Sequence, residues 1–241
     1  MSVTKSWCLH VGLRGHEGTG CTDGALSSPR SRSLPPRTVS VPGDLPAFAV
    51  AGRSGACPRF VFLSGMCSHG LGYIQAFQFT AHEHGGVMAL QGDVDCGNGV
   101  FRKYLADPRR QDARIREARA AVCGDAAGDG DEIGLIGYSP GAHVAEVMAE
   151  RFPKRYPRVG LIGAPRQPSV GRLRRVRGAV MISGTLDAPY RMKGGAAALR
   201  AAGIPATYLE MPGARHGQLL DAERLLGQAL DWLDANARPA P

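Results

Sequence analysis

Residues 133–145 read Ile-Gly-Leu-Ile-Gly-Tyr-Ser-Pro-Gly-Ala-His-Val-Ala, and this stretch decides the fold of the chain. Its first half is apolar and short, as in a buried strand, and its second half has the small residues of a helix that packs closely on a sheet. Gly137, Ser139 and Gly141 form a Gly-x-Ser-x-Gly pattern at the junction. The stretch therefore predicts a strand that passes through a tight turn into a helix.

The tight turn is typical of a nucleophile elbow. Strand and helix approach each other so closely there that the residues two before and two after the serine must lack bulk, while the serine hydroxyl projects from the sheet edge. Gly137 and Gly141 meet this requirement. Because the chain contains 33 glycines, the same pattern also arises by chance in an ordinary glycine-rich turn. Other residues must therefore support Ser139.

Outward from this stretch, short apolar segments alternate with segments of helical spacing, which predicts βαβ units and a largely parallel sheet. The expected strands are Phe60–Leu63, Val87–Leu90, Ile133–Ile136, Val159–Ile162, Ala179–Ser183 and Ala206–Glu210, with an edge strand near Phe48–Ala51. The expected helices are Tyr73–His84, Pro108–Cys123, Pro140–Phe152, Tyr190–Ala202 and Gln218–Ala235, with a shorter one near Ser169–Arg177. The fold class is α/β, with no room for a lid domain between Gly163 and Gly178.

Two polar residues follow the last two expected strands. Asp187 comes after the strand Ala179–Ser183, and His216 lies in the loop after Ala206–Glu210. Active sites of open α/β sheets are built at the carboxyl ends of the strands, so both residues are expected near Ser139. Taken alone, Asp187 is more typical of a turn or a helix cap, and its place in the series with Ser139 and His216 reverses that preference.

Together, the three residues supply a nucleophile, a base and an orienting acid. The base takes the serine proton and returns it to the leaving group, and the acid fixes the imidazole tautomer and stabilises its charged form. Their chain order, Ser139, Asp187, His216, is the order that this kind of sheet requires. We therefore predict that these three residues form a catalytic triad.

Over about residues 46–236 the chain resembles the α/β-hydrolase superfamily, and in particular its compact, lidless bacterial esterases, lipases and dienelactone-type hydrolases. The resemblance implies a central, mostly parallel sheet with helices on both faces. It also implies a serine hydrolase that cleaves an ester, thioester or amide of a small acyl substrate through an acyl-serine intermediate, without a cofactor or metal. Substrate identity and oligomeric state stay open.

The chain departs from the superfamily at the oxyanion hole. The usual His-Gly after the first active-site strand is replaced by Ser64-Gly65, although the N–H of Met66 is still available. The residue after the nucleophile normally gives the second N–H, and here it is Pro140, which has none. Loss of one donor costs on the order of a hundredfold to a thousandfold in turnover. The sequence thus predicts a slow enzyme or, as the alternative, a non-catalytic binding protein of the same fold.

Other candidates are weaker. Cys67 and Cys96 follow neighbouring strands, so a disulfide between them is conceivable, as are two free thiols. Cys67 as a rival nucleophile lacks an elbow. His143 is interpreted as a packed helix residue. A set of four side chains suggests a metal site only weakly, because two of them occupy a helix end. The members of this set are His82, His84, Asp93 and Asp95.

The composition of the chain argues against several classes of function. The 241 residues can bury one core, and the net charge of +8 is scattered without interleaved aromatic residues, which argues against nucleic-acid binding. No Gly-x-Gly-x-x-Gly follows a strand, which argues against a dinucleotide-binding oxidoreductase. No apolar run is long enough to span a membrane, and the patch at Trp7–Leu13 is not a convincing signal peptide.

Domain organisation and compartment follow from the same composition. Residues 1–38 are rich in Gly, Ser, Arg and Pro and predict a disordered or poorly ordered leader, followed by one α/β-hydrolase domain over 39–241. The compartment is left open: cytoplasmic by default, and extracytoplasmic if Cys67 and Cys96 are oxidised.

Overall fold

The computed structural model of this chain describes residues 35–128 and 130–239. Most of the predicted leader lies outside the described residues. The sheet begins at Arg37, two residues before the expected domain boundary at residue 39. The fold below is that of the described residues.

Eight strands form one sheet. The strands are β1 Arg37–Val39, β2 Ala47–Ala51, β3 Phe60–Leu63, β4 Gly86–Leu90, β7 Gly134–Tyr138, β8 Arg158–Ile162, β9 Gly178–Gly184 and β10 Ala206–Met211. Their order across the sheet is β1-β2-β4-β3-β7-β8-β9-β10. The pairs β1–β2 and β2–β4 are antiparallel, and the six strands from β4 to β10 in this order run parallel. The mostly parallel sheet predicted from the sequence is confirmed.

The helices follow the strands as the βαβ pattern predicts. They are α1 Gly70–Gln75, α2 Gln78–Glu83, α3 Pro108–Cys123, α4 Pro140–Arg151, α5 Val170–Leu173, α6 Pro189–Ala201 and α7 Ala222–Asn236. Only the four-residue α5 occupies the interval before β9, so the prediction of no lid domain is confirmed. Pro108, Pro140 and Pro189 each start a helix, where the missing N–H costs no hydrogen bond.

The prediction of one continuous helix over Tyr73–His84 was wrong. The segment Tyr73–His84 is divided between α1 and α2, with a break at Ala76 and Phe77. Phe77 leaves the helical conformation, is fully buried and packs its ring 5.7 Å from that of Phe62. Burial of this large ring in the core outweighs the continuation of the helix.

The central strands are buried on both faces, as parallel sheets require. All residues of β3, β4 and β7 are buried, and two apolar clusters cover the two faces of the sheet. One cluster contains Ile115 and Met148 of α3 and α4, and the other contains Leu226 of α7. This double layer holds the strand ends rigidly, and with them the loops that carry the candidate site.

A two-stranded hairpin, β5 Val94–Asp95 and β6 Arg102–Lys103, lies between β4 and α3. The Asp95 carboxylate accepts hydrogen bonds from three successive turn N–H groups, those of Gly97, Asn98 and Gly99. The hairpin was not predicted, because strands of two residues show no alternating pattern. It lies beside the loop that follows β3.

Two disulfides tie loops to the sheet. Cys67 pairs with Cys96 of the hairpin loop, and Cys57, before β3, pairs with Cys123 at the end of α3. The Cys67–Cys96 pair is the one that the positions in the sequence made conceivable, whereas the Cys57–Cys123 pair was not predicted. Because β3 starts after Cys57 and ends before Cys67, the two disulfides lie at opposite ends of this strand. Within residues 35–128 and 130–239, no helix has the length and apolar character needed to cross a membrane.

Candidate active site

Ser139 lies at the sharp turn between β7 and α4, with φ 55° and ψ −123°. A serine rarely adopts this conformation, and such backbone strain persists only where the surroundings impose it. The Ser139 N–H donates to the carbonyl of Ile162 at 2.8 Å, which ties the turn to the end of β8. The serine is 7% exposed, so its well-anchored turn lies almost entirely beneath the surface at the carboxyl end of β7.

The two glycines of the elbow are required by close backbone contacts. A Cβ on Gly137 would lie 2.4 Å from the carbonyl oxygen of Gly141, and a Cβ on Gly141 would lie 2.2 Å from that of Leu63. Both distances are far below van der Waals contact, and the obstructing atoms are backbone. The steric reason given for the Gly-x-Ser-x-Gly pattern therefore applies to these positions.

The three side chains named from the sequence form one hydrogen-bonded chain. Ser139 Oγ lies 2.7 Å from His216 Nε2, and His216 Nδ1 lies 2.9 Å from each carboxylate oxygen of Asp187. Since a carboxylate only accepts hydrogen bonds, Nδ1 carries the proton and Nε2 is left to accept from the serine hydroxyl. This is the tautomer that a general base requires.

Loops at the carboxyl ends of β9 and β10 bring Asp187 and His216 to the serine. The Asp187 side chain is 14% exposed, whereas that of His216 is 49% exposed. Gly163, at the end of β8 with φ 53°, makes room for them: a Cβ there would lie 2.8 Å from Asp187 Oδ2. Sequence reasoning missed Gly163, although a glycine directly after a parallel strand was a usable signal.

Tyr138 supports the histidine loop. Its hydroxyl accepts a hydrogen bond from the Gly217 N–H at 2.6 Å, and its ring centroid lies 5.8 Å from that of His216. Burial raises the pKa of Tyr138 to about 12, so the hydroxyl stays protonated around neutral pH. Sequence reasoning missed this residue, whose one signal was its place directly before Ser139.

Met66, whose N–H was predicted from the sequence to be one backbone donor of an oxyanion hole, lies in the loop between β3 and α1. Ser68 holds this loop twice, through its hydroxyl to the Gly65 carbonyl at 2.7 Å and through backbone hydrogen bonds in both directions with Arg102. Cys67, with φ 47°, adds the disulfide to Cys96. The loop is therefore fixed to the hairpin on one side of Ser139.

Two residues on this side differ from the usual pattern, as the sequence indicated. Pro140 is the first residue of α4 and has no N–H. Ser64 is fully buried, and its Oγ has no hydrogen-bond partner within 35–128 and 130–239. Ser64 therefore does not anchor the oxyanion loop through a hydrogen bond to these residues.

The weaker sequence candidates have other partners. Cys67 is in a disulfide and has no thiolate to act as a nucleophile. His143 lies 3.7 Å from Glu146 on its own helix. His82 contacts the Ala51 carbonyl, and His84 contacts Asp231. In the described part of the chain, no group of three or more His, Cys, Asp or Glu side chains is placed to hold a metal ion.

Comparisons with known proteins support the fold. A scan against protein-family models gives no match, and neither does a search of the curated proteins. Among solved structures, a predicted CIB-like hydrolase from Thermoplasma acidophilum is similar with a TM-score of 0.60 and 14% identity, over 84% of this chain and 99% of that one.

Two further solved structures cover this chain to the same extent. Esterase PE8 has a TM-score of 0.58 and 18% identity, over 83% of this chain and 100% of its own. A dienelactone hydrolase from Anabaena variabilis has a TM-score of 0.55 and 19% identity, over 85% of this chain and 100% of its own. At such low identity the likeness concerns the arrangement of strands and helices, and the chemistry has to be argued from the site.

Proposed function

The chain has the α/β-hydrolase fold, and from this premise we propose that it is a serine hydrolase. The observation that carries the proposal is the hydrogen-bonded chain from Ser139 through His216 to Asp187. A nucleophile, a base within hydrogen-bond reach and a group that orients the base are the three parts of nucleophilic catalysis. The distance of 2.7 Å between Ser139 Oγ and His216 Nε2 suits proton transfer between them.

The reaction has two balanced halves. Ser139 Oγ attacks the acyl carbon while His216 Nε2 takes the serine proton, and the leaving group departs with that proton as the acyl-serine bond forms. Water then gives a proton to His216 and attacks the acyl carbon, and the serine leaves protonated with the free acid as product. Asp187 holds the imidazole and stabilises its charged form in both halves.

The substrate class is an ester, thioester or amide, with a carboxylic ester as the leading choice. The similar solved structures include proteins named as an esterase and a dienelactone hydrolase, which fits ester cleavage without a cofactor. The half-exposed His216 and the missing lid leave the site open to a small acyl substrate.

The enzyme is slow with respect to hydrolases that have two backbone donors, because Pro140 removes one of them. The same residue supports the second candidate function, a non-catalytic protein that binds a ligand in this cleft. The hydrogen-bonded chain of three side chains favours the enzyme, since binding alone does not need it.

The two disulfides favour an oxidising compartment over the cytoplasm. Intact-mass analysis of the full chain before and after reduction, each with alkylation, tests this pairing. The two disulfides predict at least four additional alkylated cysteines after reduction; an unchanged count contradicts the pairing.

Labelling with a fluorophosphonate probe tests the proposed function without knowledge of the substrate. We expect wild-type protein to be labelled at Ser139, and Ser139→Ala and His216→Ala to lose labelling. Ser169→Ala is the matched control, because Ser169 caps α5 away from the hydrogen-bonded chain and should leave labelling unchanged. Folding of each variant is checked by circular dichroism and thermal unfolding.

The outcome separates the two candidate functions. Labelling that requires both Ser139 and His216 establishes a working nucleophile and base. Well-folded wild-type protein that takes no label contradicts the enzyme and favours the binding protein.

A further inference from the structure

The Tyr73 hydroxyl and the nucleophile both lie next to Gly65, the residue directly before Met66. A Cβ at this position would lie 3.7 Å from Ser139 Cβ, 3.5 Å from the hydroxyl oxygen of Tyr73 and 3.2 Å from Cδ1 of Tyr138. A side chain would therefore crowd these groups, and the glycine lets the Tyr73 hydroxyl and Ser139 approach the same short stretch of backbone.

The Tyr73 hydroxyl thus lies beside the loop of Met66 and close to Ser139, in the region where an oxyanion needs hydrogen-bond donors. The acyl oxygen of a Ser139 adduct lies within a few ångströms of the serine Cβ, and it must meet hydrogen-bond donors at about 2.7–3.1 Å. The N–H of Met66 is one peptide unit from Gly65. The N–H that normally comes from the residue after the nucleophile is absent, because that residue is Pro140. One donor position is therefore open.

We propose that the hydroxyl of Tyr73 is the second oxyanion donor of this enzyme and takes the place of the N–H that Pro140 lacks. This inference rests on the proposed hydrolase function and adds a catalytic residue to it. Tyr73 gives a hydrogen bond to the developing negative charge and transfers no proton.

The surroundings of Tyr73 hold its ring in place. Its ring centroid lies 5.1 Å from that of Phe62 and 5.3 Å from that of Tyr138. The helix α1 that carries it starts against the sheet, since a Cβ on Gly70 would lie 3.1 Å from both the Ala89 Cβ and the Leu90 carbonyl oxygen. A donor that is fixed before the reaction pays no reorganisation cost when charge develops.

The Tyr73 hydroxyl has the protonation state that a hydrogen-bond donor needs. Burial raises the pKa of Tyr73, and the nearby Ser68 hydroxyl lowers it by a smaller amount, so the phenol keeps its proton around neutral pH. The Ser68 hydroxyl already donates to the Gly65 carbonyl, which leaves its oxygen as an acceptor. A hydrogen bond to an oxyanion is stronger than one to a neutral hydroxyl, so the Tyr73 hydroxyl exchanges the Ser68 oxygen for the oxyanion as negative charge develops.

Tyr73→Phe tests this role in two backgrounds, wild type and Pro140→Gln. The first background lacks the backbone donor, and the second restores it. We expect Tyr73→Phe to lower kcat for p-nitrophenyl acetate, and the rate constant of fluorophosphonate labelling, about a hundredfold in wild type with little change in KM. In the Pro140→Gln background the same change should cost less than about tenfold, since a second donor is present.

Tyr208→Phe is the matched control, because its hydroxyl contacts Ser183 and Glu210 and takes no part in the site. It should leave both rates unchanged. Equal costs of Tyr73→Phe in the two backgrounds mean a structural role and overturn the proposal, as does no cost in either. If wild-type protein neither hydrolyses the ester nor takes the label, the proposed function fails and this inference with it; an active wild type with an unaffected Tyr73→Phe overturns the inference alone.

Discussion

The proton-transfer side and the oxyanion side of the candidate site are built differently. On the first, Ser139, His216 and Asp187 have the expected residue types and are already hydrogen-bonded to one another. On the second, Pro140 lacks the N–H that the fold normally uses. Proton transfer needs particular side chains, whereas an oxyanion accepts any well-aimed donor. The donors on the oxyanion side can therefore be supplied by different residues, whereas the residue types on the proton-transfer side cannot be exchanged.

The residues of the two sides are also held in place by different contacts. Asp187 and His216 follow β9 and β10, whose backbone is part of the buried sheet. The loop at Met66 lies outside the sheet and is held by the disulfide Cys67–Cys96 and by the backbone pairing of Ser68 with Arg102. Changes on the first side should therefore affect chemistry strongly, and changes on the second side should have graded effects.

The largest effect is expected from Asp187→Asn. The Asn amide would donate to Nδ1, so the proton would move to Nε2, and His216 could no longer accept the serine proton. We expect kcat for p-nitrophenyl acetate to fall by about ten-thousandfold with the fold intact.

Asp221→Asn is the control for this change, because Asp221 lies in the same region but pairs with Arg224 on the surface. It should retain the wild-type rate. A loss of less than about tenfold in Asp187→Asn would contradict the assignment of Asp187 as the orienting acid.

A substitution on the oxyanion side is expected to raise kcat. Pro140→Gln restores an N–H after the nucleophile and keeps a good helix-forming residue at the start of α4, so kcat should rise at least about tenfold. Steady-state kinetics on the full chain measures this gain. No gain in wild type, together with a gain in Tyr73→Phe, would mean that Tyr73 fully replaces the missing N–H; no gain in either background would contradict the defect at Pro140.

The smallest effect on rate is expected from the disulfide beside the site. Cys67→Ser with Cys96→Ser frees the loop that carries Met66 and should lower kcat roughly tenfold, because a small misplacement of a donor weakens the transition state. The other pair, Cys57→Ser with Cys123→Ser, is the matched control at the far end of β3 and should leave kcat near the wild-type value.

Removal of either disulfide should also lower the free energy of unfolding, and here the larger loss is expected for the Cys57–Cys123 pair. The Cys57–Cys123 bond spans 66 residues and the Cys67–Cys96 bond 29, so loop-closure entropy assigns more stability to the first. Both losses should lie between about 3 and 5 kcal/mol, measured by urea unfolding. Equal effects of the two pairs on kcat would mean that the Cys67–Cys96 disulfide acts through overall stability and does not position the loop of Met66.

The strands were predictable because their signal is local. The segments at Phe60–Leu63 and Ala206–Glu210 are apolar, short and bounded by turn residues, and they reappear as β3 and β10 within one residue. The hairpin β5–β6 was not predictable, since its turn depends on Asp95 accepting three N–H groups. The break at Phe77 was missed because it depends on a ring fitting into the core.

The sequence by itself determined the fold class, the Gly-x-Ser-x-Gly turn around Ser139, the positions of the candidate residues Asp187 and His216, and the missing N–H at Pro140, because each is a property of residue type and order. Only the tertiary structure decided the two disulfide pairings, the contact of Tyr138 with the histidine loop and the approach of Tyr73 to Gly65. These contacts join segments that are distant along the chain. Their geometry depends on how helices and loops pack on the sheet, and local residue patterns carry no record of that packing.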